Sequence, residues 1–479
     1  VFAGVTVMIA LVGLLIVGIP FLGLMGVTAS VAVFMAMAAS LTLLPAILGL
    51  LGDKLAPKPG SRAARRAAEH EGDGARRPTM GERWVRLVLK APAVFIVAVI
   101  ALLGVAAIPA TQLALALPDG SSMTEDSTAR RAYDLTAEQF GPGRNGPLVL
   151  AVDITQTTDI FDDLDAIAAR IDDLPGVDYV GTPIPNPTVD TAIIQVIPET
   201  GPSDPATTQL VHDIRAIAPE IEARYGTPLA VTGTTAVAID ISSQLNGALL
   251  PFGLVVIGLS VVLLMLVFRS IVVPIKAALG YLLSVLASFG IVVAVFQWGW
   301  GAEALHAVPG PILSFMPILL MAILFGLAMD YEVFLVSGMR EAYIHGLPPQ
   351  QAIVRGFSEA ARVVTAAALI MFFVFAAFVP EGASVIKVIA LGLAVGVAID
   401  AFLIRMTLVP AVMALFGRSA WYLPAWLDRR LPNVDVEGMG LRTHLDDVAW
   451  ANSRLASGEA VTLDGLVVGL GENPSQPYA

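Results

Sequence analysis

An aspartate–tyrosine pair lies deep in an otherwise apolar stretch, PILSFMPILLMAILFGLAMDYEVFLVS (311–337). Placing a residue such as Asp330 at the centre of a lipid-spanning helix costs about 2.5–3.5 kcal/mol on insertion scales. Such a residue normally faces a protein interior or a wet cavity and marks an ion or proton path. A carboxyl held there can take up and release protons. The Tyr331 hydroxyl can donate to a carboxylate on a facing helix. Helical spacing puts Gly326, Leu327, Val333, Phe334 and Ser337 on the face of Asp330. A glycine one turn away lets another helix approach closely. Gly326, Phe334 and Ser337 are therefore candidate channel-lining residues. A plain packing hydrogen bond is the weaker reading, since a serine would make it at lower cost. Glu332 falls roughly on the opposite face, nearer the cytoplasm, and reads as an interfacial or salt-bridged group.

Asp400 is the second intramembrane acid, in IALGLAVGVAIDAFLIRMTLVP, with Arg405 five residues on. On an ideal α-helix the two are about 140° apart, which argues against a direct pair within the helix. Arg405 can instead snorkel to the interface. A secondary relay role and a structural ion-partner role stand as equal readings for Asp400 and Arg405. No nucleophile–base constellation and no G-x-x-x-x-G-K-[ST] phosphate loop occurs, so ATP-driven transport has no support in this chain. The chain has no cysteine and only five histidines. Thiolate metal sites and cysteine nucleophiles are thereby excluded, and little is left for a histidine site. The sequence predicts no catalytic residue, no metal and no cofactor.

The elements that must hold these residues are membrane helices. Hydrophobic residues make up 56% of the 479 and charged residues 14%, against about 25% charged in a soluble chain. This excludes a disordered protein and a nucleic-acid binder with a basic surface. From Val1 to Gly52 there is no charged residue or histidine, too long for one span, and a turn-like patch from Gly18 to Gly26 divides it in two. Further spans are expected at 92–112, 249–268, 274–298, 311–337, 363–380 and 387–409, giving eight. Lys/Arg counts place the 53–90 linker, the turn between Arg269 and Lys276, the 338–362 loop and the tail from 418 in the cytoplasm. The net charge of −12 is segregated: residues 111–249 hold 20 Asp/Glu against 6 Lys/Arg. That acidic segment is expected outside as an α+β domain. Its elements read β 147–155, α 160–173, β 177–182, β 191–197, α 205–225, β 229–232, a split βαβ or ferredoxin-like order. The aspartates of 162–173 read as a solvated helix face.

An internal repeat organises the whole. LTLLPAILGLLG (41–52) and MTLVPAVMALFG (406–417) share six of twelve positions, including Pro45/Pro410 and Gly52/Gly417. Parallel repeats of this sort recur in transporters. Met35 and Ser40 stand in the first copy where Asp400 and Arg405 stand in the second. The second copy comprises one span, the outer domain and five spans, whereas the first has only two spans. The repeat predicts that four spans and a first outer domain precede Val1, twelve spans in all. The segments are 1–52, the last two helices of the first repeat; 53–90, a basic cytoplasmic linker; 91–112, the first helix of the second repeat; 113–248, the outer domain; 249–417, five spans; and 418–479, a cytoplasmic tail with Trp421, Tyr422 and Trp426 as interfacial anchors.

The stretches FGLAMDYEVFLVSGMREAYIHG, AARVVTAAALIMF and DAFLIRMTLVPAVMALFG resemble the MMPL family of the RND transporter superfamily. RRAYDLTAEQFGPGRNGPLVLAVD is similar to the opening of that family's second porter domain, and WYLPAWLDRRLPNVDVEG to the exit from its last helix. The resemblance implies an RND-type fold with an extracytoplasmic porter domain, in the cytoplasmic membrane of an actinobacterium-like bacterium. It implies proton-driven export of lipids or hydrophobic drugs. In the family each half contributes an Asp-Tyr pair to one proton relay, so Asp330 and Tyr331 would be the C-terminal pair and Phe334 a channel aromatic. The N-terminal half would then be a required partner, with monomer and homo-oligomer both left open. The alternatives are an RND-like protein-export helper, a sterol-sensing-type protein, and an inactive truncated remnant.

Overall fold

The computed structural model describes residues 2–52, 79–124, 126–380, 384–431, 461–463 and 466–468. The chain opens with α1 (Phe2–Val12), which tightens into a 3₁₀ turn over Gly13–Val17 and stops at Gly18, whose φ of 76° favours glycine. α2 (Pro20–Leu51) starts with proline in its first turn, where the missing N–H costs nothing. The break is therefore at Gly18–Ile19. Gly26 lies inside α2, and a side chain there would strike the Leu11 carbonyl of α1.

The last eleven residues of the expected linker are helical. In α3 (Met80–Lys90) Thr79 accepts a hydrogen bond from the Glu82 N–H, and Val85 and Val88 are buried. Thr79-x-x-Glu82 before an apolar stripe is a capping-box pattern, which the basic composition of 53–90 obscured. α4 (Pro92–Ala107) continues as a 3₁₀ turn to Gln112 and leads into the short strand β1 (Leu115–Ala116).

The α+β domain follows: α5 (Thr128–Phe140), β2 (Leu148–Asp153), α6 (Ile160–Asp172), β3 (Val177–Val180), β4 (Ile184–Pro185), β5 (Thr191–Pro198), α7 (Pro205–Tyr225) and β6 (Leu229–Thr232). The sheet order is β3-β5-β2-β6 with every pair antiparallel, and β4 prolongs the β3 edge along β5. Alternation makes one face: Leu148, Leu150, Val152, Ala192, Ile194 and Val196 are buried against α6 and α7. This is the strand order of a split βαβ unit.

α8 (Thr234–Phe268) then runs unbroken for 35 residues, so helix begins fifteen residues before the apolar window suggested. Nothing in TTAVAIDISSQLNGA breaks a helix, and hydrogen bonding continues past the apolar part. α9 (Val272–Phe296), the short strand β7 (Ile312–Leu313), α10 (Met316–Ile344), α11 (Pro349–Ala376) and α12 (Ser384–Ala398) follow. Beyond α12 the chain forms a π-helix, Ile399–Leu408, and returns to α-geometry in α13 (Val409–Phe416). Among the described residues seven helices are long and apolar enough to cross a membrane: Pro20–Leu51, Pro92–Gln112, α8, α9, α10, α11 and Val385–Trp421. The first expected span appears as the shorter apolar helix Gly4–Val17. This is a multi-pass membrane protein.

α9 and α10 form the packed centre, while α2 is bare: from Leu41 onward every described residue of it is exposed. α10 and α11 cross at Gly338 and Gly356, where an added side chain at Gly356 would meet the Met339 backbone. The two repeat copies end alike. Gly52 and Gly417 both take positive φ (42° and 52°), and their N–H groups donate to Leu48 and Met413 carbonyls. In the tail, α14 (Ala425–Asp428) docks through Asp428 on Arg269, 2.7 Å away. Trp421 stacks on Tyr343, and Tyr422 and Trp426 are exposed. A hairpin joins β8 (Val461–Leu463) to β9 (Leu466–Val468). The stretch 432–460 and most of the basic linker, 53–78, lie outside the described residues.

Candidate functional site: charged groups inside the helix bundle

α10 carries the first group. Asp330 is partly buried where α10 meets α1, and the Thr6 hydroxyl donates to its Oδ1 over 3.5 Å. Gly326, one turn earlier, makes that approach possible, since a Cβ there would sit 2.5 Å from Val7 Cγ2. Tyr331 turns the other way: it is buried, and its hydroxyl donates to the Met371 sulfur of α11 over 3.3 Å. Its expected carboxylate acceptor is not among its described contacts. Ser337 donates back to the Val333 carbonyl of its own helix, and Phe334 is exposed. Of the predicted residues, the fold brings Asp330 and Gly326 together against α1. It does not converge Tyr331, Phe334 and Ser337 on that point.

The second group differs more from expectation. Arg405 Nε donates to Asp400 Oδ2 at 3.2 Å, within one helix. The 140° separation holds only for an α-helix. In the π-helix Ile399–Leu408 the repeat is i to i+5, which stacks residues five apart. Arg405 does not snorkel; it is fully buried and also pairs with Glu332. Glu332 in turn accepts from Lys276 Nζ at 2.6 Å. Glu332 is salt-bridged but wholly buried, not interfacial. Lys276 is likewise no loop residue: it lies in α9 with its side chain 8% exposed.

The result is a chain of four groups, Lys276–Glu332–Arg405–Asp400, with two positive and two negative charges. Formal neutrality is what makes such burial tolerable. Two atoms of it, Asp400 Oδ1 and Arg405 Nη2, are buried with no hydrogen-bond partner. The sequence reading missed Lys276 and Thr6. The signal for Lys276 was its setting, a lone cation in VVPIKAALG with nothing polar around it.

A third feature lies where the α+β domain meets the helix bundle. A cavity of about 480 Å³ is walled by β1, the loop to Asp119, α7 and the start of α8. Its polar lining includes Asp119, Asn145, Ser203, His212, Ser242 and Asn246. Asp119 accepts from Ser203 Oγ at 2.7 Å and from the Ser121 N–H at 2.9 Å. Burial, and next the Asp119 carboxylate, push the neighbouring Tyr133 hydroxyl up to about 12, so it stays protonated at ordinary pH. Among the described residues, no group of three or more His, Cys, Asp or Glu could hold a metal ion.

Two repeat copies with matching helix ends, a split βαβ insertion and acids inside the bundle define a restricted class of membrane protein. The MMPL family profile matches residues 1–95 and 159–452. The chain belongs to the MMPL family. Membrane protein YdfJ of Bacillus subtilis (strain 168) is 46% identical over 443 residues, 91% of this chain and 59% of that protein. The mycolic acid-containing lipids exporter MmpL11 of Mycolicibacterium smegmatis is 33% identical, over 91% of this chain and 46% of that protein. The trehalose monomycolate exporter MmpL3 of the same organism is 30% identical, over 82% of this chain and 39% of that protein. The chain thus spans about half the length of these MMPL relatives.

Proposed function

We propose that this chain supplies the second-repeat half of a proton-driven exporter of lipids or hydrophobic small molecules. Asp330 and Tyr331 are half of its intramembrane relay, and Asp400 with Arg405 is an accessory ion pair. The observation that carries this reading is the position of Asp330. An ionisable carboxyl sits at the contact between α10 and a helix of the other repeat, with a hydroxyl as its partner. A carboxyl so placed can change charge at a helix–helix seam, which is what coupling proton entry to helix movement requires. The names of the MmpL11 and MmpL3 relatives favour an amphiphilic lipid as cargo. The cavity above the bundle, apolar at Leu113, Leu115 and Ile239 and polar at Asp119 and Asn246, suits a headgroup with the start of its tails. In this reading residues 113–248 lie outside the cytoplasmic membrane, and activity needs a first-repeat half as partner.

The test is transport of a fluorescent phospholipid analogue in proteoliposomes under an imposed proton gradient, with the first-repeat half present. Asp330→Asn is expected to abolish gradient-dependent movement while leaving membrane insertion and thermal stability close to the parent's. Transport at the parent's rate would sink the relay assignment.

A further inference from the structure

The π-helix places Asp400 beside Arg405, and something must hold that register. Pro410, two residues beyond its end, lacks an N–H and crowds the carbonyl four residues earlier, that of Met406. In any α-helical continuation the Met406 carbonyl would have looked to residue 410 for its donor. At the end of the π-segment the Val409 N–H is already committed to the Ile404 carbonyl. The Met406 oxygen is met from outside the helix: the indole Nε1–H of Trp84, on α3, donates to it at 3.0 Å. Trp84 is the residue of α3 that lies 322 positions away in sequence yet caps this point. Its ring is braced edge-on by Phe95, with centroids 6.2 Å apart.

The first repeat copy is the control. It has the same proline, Pro45, and runs α-helical from Pro20 to Leu51. Proline alone therefore does not impose the π-register. What the second copy adds is the ion pair inside and the tryptophan outside.

We propose that Trp84 is a positioning residue for the Asp400–Arg405 pair. Its indole N–H satisfies the Met406 carbonyl, which Pro410 cannot serve in an α-helical continuation, and so ties the segment to α3 with the two charged residues stacked. Without that donor the Met406 carbonyl at the π-to-α junction is left unpaired, and the tie that holds this segment against α3 is lost. In α-geometry Asp400 and Arg405 swing to about 140° apart. The inference concerns the ion pair of the function proposed above, but its measurement does not depend on transport.

The experiment is solid-state NMR on the chain in lipid bilayers, reading the dipolar contact between the Asp400 carboxyl carbon and the Arg405 guanidinium nitrogens. The signal is assigned by its loss in Asp400→Asn. Trp84→Phe keeps the aromatic bulk and removes the donor. It is expected to weaken the contact at least about twofold and to lower the thermal midpoint. Adding Pro410→Ala restores an N–H for the Met406 carbonyl, so in Trp84→Phe/Pro410→Ala the midpoint should recover while the contact stays lost. A contact of parental strength in Trp84→Phe overturns the proposal. So does its return in the double variant, which would mean that Trp84 contributes only stability. If Asp330→Asn exports normally, the relay reading fails and this measurement stands as it is.

Discussion

Glu332 is the residue on which two cations depend, Lys276 from α9 and Arg405 from the π-helix, and it is wholly buried. Removing one member of a buried ion pair leaves an uncompensated charge and costs about 3–5 kcal/mol. Glu332→Gln is expected to lower the thermal midpoint of the purified chain clearly. Lys276→Met/Glu332→Gln should cost less than the two single changes added together, as contacting residues do. Strict additivity would mean that Lys276 and Glu332 are not partners. Gly326 makes a second residue-scale prediction. Gly326→Leu puts a branched side chain where Val7 now packs, and overpacking of this kind costs about 1–3 kcal/mol. It should also separate Thr6 from Asp330, read as lost cross-linking between cysteines placed at 6 and 330. At this scale the sequence was legible where cost spoke: an acid amid apolar residues announced Asp330. It was silent on partners. Thr6 precedes Asp330 by 324 positions, and no spacing rule reaches that far.

Among the elements, strands were readable because burial has a period of two. TAIIQVIP alternates exposed and buried residues over most of its length, and the helix-rich order between strands suggests the split pairing. The π-helix was not readable. Arguments from 3.6 residues per turn presuppose the α-register, so they put Asp400 and Arg405 apart. The turn into β5 offers a pH prediction. Asn186 Nδ2 and then Thr188 Oγ1 donate to the Asp190 carboxylate and hold it below the usual carboxylate range. Stabilisation by a depressed carboxyl is present above the unfolded value, about 3.9, and disappears as pH falls through the folded one. Asp190→Ala should therefore speed amide exchange in the 186–191 turn at neutral pH. Parent and variant should converge well below pH 4. A difference that persists in strong acid would assign the turn's order to something else. Next to it Val189 holds a φ of 56°, which a β-branched residue adopts only at a cost. Val189→Asn should stabilise the α+β domain by about 1 kcal/mol in a denaturant titration.

For the molecule as a whole, the unequal burial of its helices is the main fact. α9 and α10 each have 67% of their apolar window buried within the chain, and α2 has none. If a first-repeat half packs on α2, that helix should lose lipid contact on one side only. Single cysteines at Leu41, Thr42, Leu43 and Leu44 sample a full turn, in a chain that otherwise has no cysteine. Carrying a fluorophore, all four should be quenched alike by lipid-borne nitroxides in this chain. About half of them should be protected when a first-repeat segment is supplied in trans. Uniform quenching in both cases would leave α2 a lipid-facing helix. What was legible at this scale is a mostly helical chain with several membrane-length apolar helices, because hydropathy acts over whole segments. The reach of α8 and the docking of α3 were not, since each depends on contacts that hydropathy windows average away.

The short ribbon between β1 and β7 has a mechanical consequence. The Ile312 and Ser314 N–H groups donate to the Ala114 and Ala116 carbonyls at 2.8 and 3.0 Å, and Ser314 shares a hydrogen with Ser242 of α8 at 2.7 Å. β7 is the lead-in to α10, and Leu115, Ala116 and Ser242 are walls of the cavity. Peptide hydrogen bonds tolerate only a few tenths of an ångström of stretch before they weaken. A piston-like slide of α10 along its axis would therefore pull on the cavity wall through a strut two residues long. The bundle and the cavity are thereby parts of one linkage rather than separate bodies.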